Sequence, residues 1–176
     1  MRPVLSRGEI LNRAPSIFAY TPKQGLSDKY GFVSSVDIIK MMEEDGGYYP
    51  VYARQSRSRK QGNIPYAKHI VRFGIKNAHL NYDDYPEIVM INSHDGSSSF
   101  QMMAGFFRVV CGNGLIIGNM LDSIKLRHTA NIGDDLIKYV EGMMSEAHRV
   151  MVRIDDYKEI ILDDEEQIKF AQDALT

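Results

Sequence analysis

The chain has 176 residues, of which 44% are hydrophobic and 25% charged, and a formal net charge of −2. That length and balance suit one folded domain, residues 1–176, with a core of its own, and exclude wholesale disorder. Its single cysteine excludes an internal disulfide and a multi-cysteine zinc site, and no run approaches the ~20 apolar residues of a membrane helix.

In chain order, the first fifteen residues carry Arg2, Arg7, Glu9 and Arg13 and lack a continuous apolar core, so they do not read as a secretory signal. The expected location is a reducing cytoplasm, with Cys111 a free thiol and no contact with a membrane. Ser34-Ser35-Val36-Asp37 has the spacing of a capping box, and Val36, Ile39 and Met42 follow at helical spacing. Gly46-Gly47 ends that helix, since a left-handed cap favours glycine. A strand is predicted over 48–56, with Pro50 indicating an edge position, then a polar loop over 57–65 and a second strand over 66–74. The loop length allows these two strands to form an antiparallel hairpin. A third strand is predicted over 87–92, followed by a serine-rich turn over 93–99.

Phe100, Met103, Ala104, Phe107 and Cys111 stand at i, i+3, i+4, i+7 and i+11 and predict a central amphipathic helix with Phe107 in the core, stopped by Gly112-Asn113-Gly114. Short strands are expected over 115–117 and 123–128, around a turn over 118–122. A long helix is expected from about Asp134 to about Lys158, with Leu136, Val140, Met143, Met144, Ala147 and Met151 along one face. Asp163 and Glu166 repeat the capping-box spacing ahead of a short final helix bearing Ile168, Ala171 and Leu175. The expected fold class is α+β. A three-stranded antiparallel sheet with a basic β-hairpin is packed by the central helix and by the long C-terminal one.

The small net charge hides an asymmetry. No acidic residue lies between Asp45 and Asp83, an interval that contains Arg54, Arg57, Arg59, Lys60, Lys68, Arg72 and Lys76. The end of the chain, over about 155–176, is acidic and helical. Asp155, Asp156, Glu159, Asp163, Asp164, Glu165, Glu166 and Asp173 face only Lys158 and Lys169 there. Such blocks make solvated faces. They also make a basic face for a polyanion, beside an acidic tail able to shield it or to pair with a neighbouring copy. Tyr48, Tyr49, Tyr52, Tyr66 and Phe73 interleave the cations. Single-stranded nucleic acid needs this combination of cations along a backbone and rings under the bases, although tyrosines also favour strands for their own sake.

The remaining candidates for chemistry are weak. Ser93, His94 and Asp95 are adjacent, and adjacent residues in an extended segment point apart instead of converging as a nucleophilic triad. That run is expected to be a turn and helix cap, with His94 within reach of a ligand at a sheet end. No two of the five histidines have the i, i+4 spacing of a zinc hydrolase, so no metal site is expected. The third strand offers Glu87 alone and no lysine, which leaves a nuclease a third reading. Gly112-Asn113-Gly114 follows a predicted helix, where it reads as a cap and not as a phosphate cradle. Neither a catalytic residue nor a cofactor is expected.

The run Asn92-Ser93-His94-Asp95-Gly96, followed by Arg108, Cys111, Asn113 and Gly114, resembles the signature of phage- and plasmid-encoded proteins grouped as domain of unknown function 932. Ala14 to Phe18, the surroundings of Tyr30 and the basic hairpin follow the same order. The resemblance implies a mobile-element origin and brings no assigned activity. Many members of that family continue well past the length of this chain. A weaker similarity of architecture links the expected helix, basic hairpin and sheet to single-strand annealing proteins of the eukaryotic and RecT type, whose subunits assemble side by side around a basic groove.

The function expected on these grounds is binding of single-stranded DNA, extending to strand annealing, in mobile-element DNA metabolism, by a homo-oligomer. Arg54, Arg57, Arg59, Lys60, Lys68 and Arg72 would hold phosphates, with Tyr52 and Tyr66 stacking bases. The alternative is an inhibitor that docks its acidic surface on a host defence protein of the restriction or CRISPR type.

Overall fold

The computed structural model describes residues 3–75, 86–109 and 116–173. Ser6 opens α1 (Arg7–Arg13) with a reciprocal cap. The Ser6 amide donates to Glu9 Oε2 at 2.8 Å, and the Glu9 amide donates to Ser6 Oγ at 3.3 Å. A 3-10 turn (Pro15–Phe18) follows. Ser34 caps α2 (Ser35–Glu44), as its spacing predicts, and the buried side of that helix is Ser35, Ile38, Ile39 and Met42. Gly47 takes φ +64°, a conformation that favours glycine, and turns the chain into the sheet.

Five strands form one antiparallel sheet in the order β1 (Tyr48–Gln55), β2 (His69–Ile75), β3 (Glu87–Asn92), β4 (Phe100–Val109) and β5 (Ile116–Leu126). The expected third strand is found over its predicted residues. Pro50 does sit on an edge strand, beside a bulge between Pro50 and Tyr52, and the Leu5 amide donates to its carbonyl at 2.8 Å. Beyond β5 come α3 (Ile132–Lys158) and α4 (Asp164–Asp173). The Asp163/Glu166 box caps α4 reciprocally, at 2.9 and 3.0 Å.

The expected central helix is instead β4, and the two short strands expected after it are one, β5. The sheet therefore has five strands where three were expected. Phe100, Met102 and Ala104 are fully buried while Gln101 and Met103 are half-exposed, the period of two of a strand. Pairing on both sides, Met90 with Met102 and Met102 with Ile124, overrides the helical propensity of the methionines and alanine. Cys111 lies outside the described residues, as does the side chain of Phe107.

One face of the sheet carries Ala53, Val71, Phe73, Ile88, Met90, Phe100, Met102 and Ala104. These join Ile38 and Met42 of α2 with Leu136, Val140, Met143 and Ala147 of α3 in one apolar cluster. The α3 face is the one its sequence predicts. Fully burying a side chain of this size contributes roughly 1.5–3 kcal/mol. The opposite face, bearing Tyr52, Arg54, Ile70, Ile91 and Gln101, is left for function. Among the described residues no helix is long and apolar enough to cross a membrane.

Candidate nucleic-acid interface

Partners directly opposite in an antiparallel sheet share a face, so the register alone lays out the open surface. Arg54 pairs with Ile70, Ile70 with Ile91, Ile91 with Gln101 and Gln101 with Lys125. This row crosses all five strands, about 19 Å from edge to edge at the usual strand spacing. It has a cation at each end, with the half-exposed Ile70, Ile91 and Gln101 between. At the β1 end it opens into a cavity of about 480 Å³. Arg54, Arg57 and Lys68 supply its positive charge, Ile70 and Ile91 its apolar floor, and no acidic residue lines it among the described residues.

The cations expected to act together are thus divided. Arg54, Arg57 and Lys68 share the cavity. Arg59 and Lys60 lie exposed in the connection from β1 to β2, where the Ser58 hydroxyl donates to the Lys60 carbonyl at 3.0 Å. Arg72 is a correction. It is 2% exposed, its Nε donates to Glu87 Oε2 at 2.7 Å, and its Nη2 also meets that carboxylate. A guanidinium sequestered in this way is withdrawn from phosphate. Its Cζ stands 6.0 Å from the Tyr52 ring centre, so Tyr52, half-exposed on the open face, stacks inward on Arg72 as well as facing out. Tyr66 is half-buried in a 3-10 turn (Gln61–Tyr66), and its carbonyl accepts from the His94 amide at 3.0 Å. Lys125 and Gln101 were missed because their membership of the face depends on the β3–β4 and β4–β5 registers.

On the other side of the sheet, His69 also borders the cavity, and its ring anchors a buried polar network. Asn92 Nδ2 donates to the Val33 carbonyl at 3.1 Å and to Ser35 Oγ at 2.9 Å. Ser35 Oγ lies 2.7 Å from His69 Nε2, and the Ala67 carbonyl lies 3.1 Å from Nδ1. Since a carbonyl only accepts, we assign the proton to Nδ1 and let the Ser35 hydroxyl donate to Nε2. The chain Asn92–Ser35–His69–Ala67 then ties β3, α2 and β2 together. His94 packs 4.9 Å from the Phe32 ring and 5.1 Å from the His69 ring. Tyr30 stacks on His128 at 4.7 Å and donates to the Ser93 carbonyl at 2.9 Å.

Burial holds these imidazoles neutral. It pushes His69 down to about 3 and His94 down to about 4, with His94 opposing charge on His69 and His128 opposing charge on His94. Burial also lowers His128.

The run Asn92 to Gly96 is a hairpin turn leading into a strand and not a helix cap. Ser93 Oγ accepts from the Ser98 amide at 3.1 Å, and Asp95 Oδ1 accepts from the Ser97 amide at 2.9 Å. Gly96 takes φ +74°. Ser93 and Asp95 thus take up backbone amides of the turn, while the His94 ring packs on Phe32 and His69. Asn113 and Gly114 lie outside the described residues, as does the side chain of Arg108. Among the described residues, no group of three or more His, Cys, Asp or Glu side chains is placed to hold a metal ion.

A family model described as domain of unknown function, DUF932, matches residues 24–176. Two curated relatives come from Escherichia coli strain K12. The UPF0380 protein YafZ is 29% identical over 172 residues, and the UPF0380 protein YfjQ is 28% identical over the same length. Each alignment covers 98% of this chain and 62% of the relative, so the chain spans less than two thirds of the curated relatives it matches. No solved structure matches it.

Proposed function

Because this chain belongs to the DUF932 family, whose description assigns no activity, we propose from its surface that it binds the backbone of single-stranded nucleic acid on the open face of the sheet. The observation that carries this reading is the cavity that gathers Arg54, Arg57 and Lys68 over an apolar floor, with no acidic residue among the described residues that line it. Phosphates take the cations, bases lie over Ile70, Ile91 and Tyr52, and the row to Lys125 gives the strand a direction across the sheet. Arg59 and Lys60 extend the positive charge past the rim. Contacts of this kind neutralise phosphates and carry no base information, so binding is indifferent to sequence.

The test is a titration of a labelled oligothymidine at several salt concentrations. Single-strand contacts give a slope of about 0.7 in log affinity against log salt for each phosphate neutralised. The three cavity cations predict a slope of about 2, rising to about 3 to 4 if Arg59 and Lys60 also engage. Replacing Arg57, Arg59 and Lys60 together by alanine lowers the slope by about 0.7 if only the cavity engages and by about 2 if Arg59 and Lys60 do as well, equally for unrelated sequences. Tyr52→Ala weakens binding with little change of slope, because stacking releases no counterion. Absence of salt-sensitive binding by the unaltered protein would refute the proposal.

A further inference from the structure

The acidic end of the chain has no seat in its own fold. No described residue of α4 is buried, and Ile161, Ile168 and Phe170 are 93%, 59% and 69% exposed. Asp164, Glu165 and Glu166 crowd its first turn behind the Asp163 cap. A short helix that shows Ile168 and Phe170 to water, with Ile161 exposed just ahead of it, beside a block of carboxylates is suited to a surface that is apolar and cationic together. The cavity of Arg54, Arg57 and Lys68 over Ile70 and Ile91 is such a surface.

The acidic turn cannot reach the cavity of its own chain. The cavity lies where β1 ends, at Gln55. α3 starts near that end, with Ile132 close against Gly31, and runs the other way, so that Met144 and Met151 line a groove with Tyr48 and Ile75 where β1 begins. β1 is about 23 Å long, and α3 continues past Met151 to Lys158 for about 10 Å more. The start of the tether is therefore roughly 30 Å from the cavity, and on the helix-covered side of the sheet. Five residues, 159–163, stretch at most about 17 Å.

We propose that α4 of one copy docks in the Arg54–Arg57–Lys68 cavity of a second copy. The contact joins different patches on the two copies, so it propagates head to tail into a ring or an open chain. The inference deepens the nucleic-acid reading, since it concerns the same cavity and supplies its regulation. A neighbour's carboxylates compete with phosphates for the same cations, and self-assembly and strand binding oppose each other.

The test uses two full-length variants. One reverses the cavity, Arg57→Glu with Lys68→Glu. The other reverses the helix, Asp164→Lys with Glu165→Lys, and spares the Asp163/Glu166 cap. All four positions are exposed, and circular dichroism checks that both variants fold. Light scattering after size exclusion should show the unaltered protein self-associating at low salt. It should fall to monomer near about 0.5 M salt, where charges are screened within a few Å. Each variant alone should be monomeric. Mixed, the intact helix of the first fits the intact cavity of the second, and the reversed helix of the second meets the reversed cavity of the first with opposite charge again, so assembly should be restored.

An unaltered protein that stays monomeric at low salt, variants that still associate alone, or a mixture that stays monomeric would each overturn the proposal. A labelled oligothymidine separates the two readings. If the helix variant binds it while the mixture fails to assemble, the docking is wrong and the strand-binding reading stands. If the mixture assembles while no form binds the oligonucleotide, the reverse holds.

Discussion

Arg72 and Glu87 test the placement of charge in this fold most directly. Both side chains are nearly inaccessible, at 2% and 4%, and a 2.7 Å hydrogen bond from Nε joins them. Glu87→Gln keeps the shape and removes the negative charge that Nε and Nη2 of Arg72 meet. Breaking one side of such a pair costs about 3–5 kcal/mol. A domain of ordinary stability has only about 5–15 kcal/mol in total. For a chain of this size the midpoint of thermal unfolding should fall by about 6–20 °C. The double change Arg72→Met with Glu87→Leu removes both charges and should cost less than about 1 kcal/mol, or stabilise, because no ion then needs desolvating. Urea unfolding of the two singles and the double, followed by far-ultraviolet circular dichroism since the chain has no tryptophan, closes the cycle. A Glu87→Gln loss below about 1 kcal/mol, or a double as costly as the single, would refute the reasoning. The double variant should also keep the salt slope of oligonucleotide binding, since Arg72 meets carboxylate and not phosphate.

Met102→Ala should cost about 2–5 kcal/mol and Met103→Ala less than about 1 in the same urea assay, because only Met102 is fully buried; the reverse order would restore the helical reading of that segment. The folded-state values of His69 and His94 lie below the unfolded 6.5, so the unfolded chain binds more protons below neutrality and stability falls as the pH drops. The loss should begin near pH 6.5 and continue toward about 4 and about 3, reaching about 2 kcal/mol per histidine at pH 5, and His69→Gln should flatten the profile. Gly31→Ala would place a methyl 1.9 Å from the Thr129 carbonyl oxygen and 2.8 Å from Ile132 Cγ2, and should cost about 3 kcal/mol or more. Gly142→Ala, on the open side of α3 with nothing within 4 Å, should stabilise by about 0.5–1 kcal/mol, read as a rise in thermal midpoint.

Elements with punctuation at both ends were legible. α2 has Ser34 before it and Gly46-Gly47 after it, and α3 carries an apolar stripe over many turns, so each was found nearly whole. β4 was not, and the cause is arithmetical. Phe100 and Ala104 are four apart, a spacing that places residues on one face of a helix and also on one face of a strand. Only Met102 against Met103 separates the two, and both are methionine. The cavity cations Arg54, Arg57 and Lys68 were visible as a block without acids. The burial of Arg72 was not, because its partner Glu87 lies fifteen residues away and meets it only through the β2–β3 register. The histidine network likewise depends on α2 and the β3–β4 turn converging on β2.

The strand order 1-2-3-4-5 has a consequence for synthesis. Every strand pairs with its neighbours in sequence, so each new strand finds its partner already made and closes only a short loop. The sheet can therefore grow by accretion as the chain leaves the ribosome. Its apolar face cannot be covered on the same schedule. Phe100, Met102 and Ala104 emerge before Leu136, Val140 and Ala147, which belong to the same cluster. Until those last residues arrive, a nascent chain carries a finished sheet whose oily side is covered only in part, by α2. That interval is when it is most exposed to aggregation and most in need of a chaperone.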